Sequence, residues 1–108
     1  MSVNPAYVEA APSREEIDAL RGPCLLEFGA NWCGHCQAAQ PVIAKALAGH
    51  PDLAYLKVED GPGRPLGRSF RVKLWPTLIF LVDGQEVARC VRPDDSTTIA
   101  EALAQLGH

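Results

Sequence analysis

Two cysteines with two residues between them, Cys33 and Cys36, stand where a short apolar run meets a stripe of apolar residues at helical spacing. The run before them, Cys24-Leu25-Leu26-Glu27-Phe28, is too short for a helix and mostly apolar on both faces, as a strand buried in a parallel sheet requires. Gly29-Ala30-Asn31-Trp32 reads as a turn. From Cys33 to about Ala48, the residues Ala39, Val42, Ile43, Ala46 and Leu47 recur at spacings of three and four, which predicts a helix with one apolar face. Pro41 falls inside it, where the missing N–H and a clash with the Gln37 carbonyl predict a kink. Gly49 and His50-Pro51-Asp52 end the helix, and Leu53 to Val58 is a second strand. Strand, helix and strand in so short a stretch make a βαβ unit with a right-handed crossover. Such a unit confines the chain to a sheet with helices packed on it.

The flanks fit that frame. Ser13-Arg14-Glu15-Glu16 has the form of a capping box, and Gly22-Pro23 stops the helix it opens. Pro65 to Phe70 is at most a short helix. Leu78 to Val82 and Glu86 to Val91 are strands joined by Asp83-Gly84, a strong hairpin signal. A last helix runs from about Thr97 to Leu106. Residues 1–12 read as a short edge strand or a loose arm, with Tyr7 and Val8 as their bulky apolar pair. The expectation is an α/β fold: a central mixed β-sheet with helices on both faces. Residues 1–108 have the length of a single domain. The formal net charge of −3 supplies no global attraction to nucleic acid or anionic membranes. No run approaches the roughly 18 apolar residues of a membrane span. The first residues lack a basic start followed by an apolar stretch, so a cytoplasmic location is expected.

The cysteine pair carries the chemistry. At the start of a helix, the partial positive charge stabilises a thiolate on Cys33, and the thiolate is the nucleophile in disulfide exchange. Cys36, one turn further in, is placed to attack a mixed disulfide on Cys33 and release the product. His35, when protonated, adds positive charge beside Cys33, favouring the reduced form and making the disulfide a stronger oxidant. A Cys-X-X-Cys pair is also half of a tetrahedral zinc site. That reading needs a second ligand pair, and Cys24, Cys90, His50 and His108 are scattered singly, so metal: none is expected. A pair kept for packing alone is disfavoured because unneeded cysteines near a surface turn are a liability.

The segment Leu26-Glu27-Phe28-Gly29-Ala30-Asn31-Trp32-Cys33-Gly34-His35-Cys36 resembles the active-site segment of the thioredoxin family. Its Cys-Gly-His-Cys form is similar to the catalytic domains of protein disulfide isomerase; typical thioredoxins have proline at the position of His35. Pro41 matches the family's kinking proline, Trp75-Pro76-Thr77 its cis-proline loop, and Asp83-Gly84 its last hairpin. The resemblance runs from about Ser13 to Leu106. It implies a thioredoxin fold and a thiol–disulfide oxidoreductase. Cys33 and Cys36 would be catalytic, with His35 as tuner. Trp32, Gly34, Trp75, Pro76 and Thr77 would contact an extended substrate segment. A cis Trp75–Pro76 bond is implied by the resemblance alone, since trans dominates X–Pro bonds in general. Substrates would be proteins bearing disulfides or dithiols, and electrons would come from an upstream reductase or small thiols. No metal or organic cofactor is needed for exchange, and a monomer is expected. The other reading is a non-enzymatic adaptor that uses the fold to bind one partner.

Other residues carry two readings each. Glu27 is either an edge-strand carboxylate facing water or, as the resemblance implies, a buried acid beneath Cys36 that exchanges its proton, through water or directly. Lys57 is either a solvated strand-end lysine or the neighbour of that acid. Arg64, Arg68, Arg71 and Lys73 form a solvated face or a positive rim near Pro76 that selects acidic partners. Cys24 and Cys90 would lie two strands apart in the family's sheet order, about 9.6 Å, too far to pair. Two departures bear on the binding groove: Gly29 replaces a common aromatic residue, and Arg92-Pro93 stands where a glycine is usual after the last strand.

Overall fold

The computed structural model describes residues 6–107. The elements in chain order are α1 (Arg14–Asp18), β1 (Pro23–Gly29), α2 (Gly34–Leu47), β2 (Ala54–Glu59), α3 (Pro65–Ser69), β3 (Thr77–Val82), β4 (Gln85–Val91) and α4 (Ser96–Ala104). The sheet order is β2-β1-β3-β4, with β1 parallel to β2 and the other pairings antiparallel. This is the thioredoxin fold implied by the resemblance. The first five residues and His108 lie outside the described range, so only part of the expected N-terminal arm is visible. That part is tied down: Val8 makes a parallel bridge with Val58, donating to the Lys57 carbonyl and accepting from the Glu59 N–H.

Local chemistry explains the element boundaries. The Ser13–Glu16 capping box forms in both directions and opens α1. Helix α2 begins with Cys33 as its N-cap and continues through Pro41 to Leu47. At the β3–β4 turn, Asp83 and Gly84 both have positive φ, 53° and 79°, as a type I′ hairpin requires. A Cβ on Gly84 would meet the Asp18 carbonyl at 2.3 Å, so the turn packs against α1 only because that residue is glycine.

Period-two alternation along the strands builds a core on each face of the sheet. Leu25, Leu78, Phe80 and Cys90 pack with Ala39, Ile43, Ile99 and Leu103 of α2 and α4. Cys24, Leu26, Phe28, Ile79 and Leu81 pack with Ile17, Leu66 and Phe70 on the other side. Cys24 and Cys90 therefore belong to opposite faces as well as to strands separated by β3, and both are free thiols. The same alternation decides where Glu27 goes. It shares a face with Leu25, so its carboxylate points under α2 rather than toward water.

Candidate active site

Four cysteines are reduced in the structure. Cys33 Sγ accepts the backbone N–H of Cys36 at 3.2 Å, so the sulfur itself caps α2. A backbone donor and the positive end of a helix of 14 residues meet at this one atom. Cys36 is more deeply buried. Burial, and next the hydrogen bond with Cys33, push its thiol up to about 11. Cys36 is therefore a thiol at neutral pH and must lose a proton before it can attack.

Around the pair, Trp32 is 73% exposed and sets its ring edge-on to Trp75, with centroids 5.6 Å apart. Trp75 packs against the cluster of Tyr7, Ala30, Cys33 and Cys36, and its indole N–H donates to Asp60 at 2.8 Å. The Trp75–Pro76 peptide is cis. Gly34 opens α2 with nothing within 4 Å of where a Cβ would stand. His35 is exposed and lines a cavity of about 260 Å³ with Arg92, Pro93 and Asp94.

Two residues expected at the substrate groove also have hydrogen-bond partners within the protein. Thr77 is 1% exposed, and its hydroxyl donates to the Leu74 carbonyl at 2.6 Å, closing the loop ahead of Pro76. Its side chain shapes the loop that carries Pro76. The Trp75 carbonyl accepts from Arg92 Nε at 2.8 Å. Arg92 holds φ at +49°, and its own N–H donates to the Pro76 carbonyl at 2.9 Å. A left-handed φ accounts for the preference for glycine at such a position.

Beneath Cys36 lies a buried polar network. Glu27 is fully buried. Its carboxylate accepts from the Tyr7 hydroxyl in a short contact, from the Tyr55 hydroxyl at 2.5 Å and from Gln40 Nε2 at 3.0 Å. The water-facing reading of Glu27 is thereby removed. Lys57 stands beside Glu27 in the β1–β2 register, yet its ammonium donates to Gln40 Oε1 at 2.6 Å and sits 4.4 Å from the centre of the Tyr7 ring. Lys57 is 5% exposed, so it is not the solvated strand-end lysine of the alternative reading. Burial holds its pKa below the usual lysine value, against the attraction of Glu27 and Cys36.

Gln40, Tyr55 and Tyr7 escaped the sequence reading. Gln40 is one helical turn after Cys36, and Tyr55 shares a strand face with Lys57; both follow once the faces are known. Tyr7 has no local signal, because it reaches the site from the arm. The glycine at position 29 is the nearest hint: a side chain is missing next to Cys36, and something must fill the space.

The four basic residues of the α3 region gather at one groove of about 610 Å³, where Arg64, Arg68, Arg71 and Lys73 line the wall together with Asp60 and Trp75. Arg64 also pairs with Glu59 at 3.3 Å. Among the described residues no cluster of His, Cys, Asp and Glu has the form of a metal site, and no helix is long and apolar enough to cross a membrane.

The thioredoxin family model matches residues 5–105. The chain is 58% identical to thioredoxin 2 from Pseudomonas aeruginosa, solved in its reduced form, with a TM-score of 0.86 and coverage of 94% of each chain. It is 35% identical over 85 residues to a thioredoxin of Chlamydia trachomatis, covering 78% of this chain and 82% of the relative. It is 42% identical over 82 residues to protein disulfide-isomerase A2 of Pongo abelii, covering 72% of this chain. The match spans 15% of that isomerase and 51% of the rice thioredoxin H2-1.

Proposed function

Because the chain belongs to the thioredoxin family, whose activity is thiol–disulfide oxidoreduction, we propose that it exchanges disulfides with protein substrates through Cys33 and Cys36. The observation that carries this is the capping of α2 by Cys33 Sγ, which sets the sulfur at the positive end of the helix, bordered by the exposed Trp32. The Cys33 thiolate attacks one sulfur of a substrate disulfide, forming a mixed disulfide and expelling the other sulfur as a thiolate. Cys36, deprotonated, then attacks Cys33 Sγ. The Cys33–Cys36 bond forms, the bond to substrate breaks, and the substrate has gained two electrons.

Glu27 is the proton acceptor for Cys36 and returns the proton when the pair is reduced again. Lys57 fixes Gln40 and thereby the carboxylate. Trp32, Gly34 and the Trp75–Pro76 loop form the substrate platform, and His35 shifts the pair toward an oxidant. The reductant is an upstream reductase or a small thiol. We place the protein in the cytoplasm, where the unpaired Cys24 and Cys90 stay reduced.

Reduction of a disulfide-bonded protein such as insulin tests the reading. Activity should vanish in Cys33→Ser, and Cys36→Ser should accumulate the mixed disulfide. Activity that survives Cys33→Ser would overturn it. The potential of the pair in a glutathione buffer tests His35: His35→Pro should make it less oxidising by tens of millivolts, where 30 mV is roughly 1.4 kcal/mol for a two-electron couple.

A further inference from the structure

The geometry points to the Tyr7 hydroxyl as the proton relay between Cys36 and Glu27, a role supplied by the N-terminal arm and made possible by the absence of a side chain at Gly29. This rests on the exchange reaction proposed above and assigns the route its proton takes.

The hydroxyl is held at the junction. A Cβ on Gly29 would lie 2.6 Å from the Tyr7 hydroxyl and 2.6 Å from Cys36 Sγ, so both atoms occupy the space over this glycine. The hydroxyl hydrogen-bonds Glu27, and the space over Gly29 that it shares with Cys36 Sγ sets it beside that thiol. The arm is clamped where this matters. Asn31 bonds the Tyr7 backbone twice, accepting its N–H at 2.9 Å and donating to its carbonyl at 3.3 Å, and Val8 is bonded to β2 on both sides.

The neighbours do not offer the same route. Gln40 touches Glu27, Tyr7 and the Cys36 carbonyl, but an amide is not a carrier for a proton between acids. Lys57 donates to Gln40 and faces the Tyr7 ring. A hydroxyl, by contrast, donates and accepts at once. The charged and titratable groups facing the relay are Cys33 on α2, Glu27 on β1 and Lys57 and Tyr55 on β2.

In the resolving step Tyr7 passes its proton to Glu27 as it takes the proton of Cys36, so it ends neutral. The Cys36 thiolate forms the bond to Cys33 Sγ, and the substrate sulfur leaves with the electron pair and is protonated by water. When a reductant thiolate later opens the Cys33–Cys36 bond, Cys36 leaves as a thiolate and recovers the proton from Glu27 by the reverse path. The cycle thus restores every proton on the protein.

Single-turnover reaction of the reduced protein with dithiobis(nitrobenzoate) tests this, because Cys33 releases the first chromophore and Cys36 the second. Tyr7→Phe keeps the ring over Gly29 and removes only the hydroxyl. The first release should proceed at the wild-type rate. The second should slow on the order of 10²-fold at pH 7 and recover as the pH rises toward about 11, where Cys36 ionises without help. Glu27→Gln should give the same defect, and adding Tyr7→Phe to it should slow the second release no further. The rate ratio within each variant is insensitive to a loss of folded protein. A second release as fast as wild type, a defect that persists at high pH, or additive defects in the double variant would overturn the relay. A wild-type protein that releases no chromophore would instead sink the exchange reaction itself.

Discussion

Arg92 Nε donates to the carbonyl of Trp75 at 2.8 Å, and so occupies the backbone acceptor that an extended substrate would use. Both groups are at the surface, so the bond is weak and a substrate can displace it. Displacement costs about 1 kcal/mol, the net value of such a bond. Arg92→Ala should therefore lower KM for a protein disulfide severalfold and leave the rate with a small aromatic disulfide unchanged. Steady-state assays with the two substrates check this. A raised KM would mean that the guanidinium binds substrate instead.

Glu27→Ala should destabilise the protein. A lone buried carboxylate would be better removed, and stability would then hold or rise. The structure reverses that sign, because alanine strands the hydroxyls of Tyr7 and Tyr55 and one amide hydrogen of Gln40. Leaving three buried donors unsatisfied at about 1–3 kcal/mol each costs roughly 3–9 kcal/mol when no water enters; removing the buried carboxylate offsets part of this, so a net loss of roughly 2–5 kcal/mol is expected. Denaturant melts at neutral pH decide, and Glu27→Gln should lose less than alanine.

Alkaline conditions should weaken the reduced protein more than the oxidised one. Burial pushes Cys24 up to about 11 from 9.0, and Cys36 rises to about 11 for the reasons given above. Between pH 9 and 11 the folded state thus holds more protons than the unfolded state, and stability falls as the pH rises. Tyr7 and Tyr55, raised by burial and by Glu27, extend the loss above pH 10. Lys57, lowered by burial, works the other way and recovers stability as the pH climbs toward 10.5. Oxidation removes the Cys36 contribution, and Cys24→Ala removes its own. Melts across pH 8–11 should show the flattest curve for the oxidised Cys24→Ala protein.

Gly29→Ala should cost about 1–3 kcal/mol, since its Cβ collides with Tyr7 and Cys36 Sγ at 2.6 Å. In a Tyr7→Ala background one of the two obstacles is gone, so the same substitution should cost less. A double-mutant cycle by thermal melts measures the coupling; equal costs in both backgrounds would deny the packing of Tyr7 over Gly29.

Most of the framework was legible because it rests on local rules. The capping box at Ser13, the helical stripe after Cys33, the Asp83-Gly84 turn and the alternating strands each act over a few residues, and each formed close to where the pattern put it. The redox pair was equally legible, since a strand, a turn and a helix start place Cys33 at the helix N-terminus whatever the rest of the chain does. Which face Glu27 takes follows from alternation only once the sheet order is known. The surroundings of the pair were decided by contacts between distant segments. Tyr7 and Glu27 are 20 residues apart, and Arg92 and Trp75 are 17 apart. Such partners are selected by the space left when the sheet closes: a vacancy over Gly29 that the arm fills, and a left-handed turn after β4 that aims Arg92 at the Pro76 loop. A sequence pattern reports spacing along the chain, whereas these contacts depend on distances that exist only after folding.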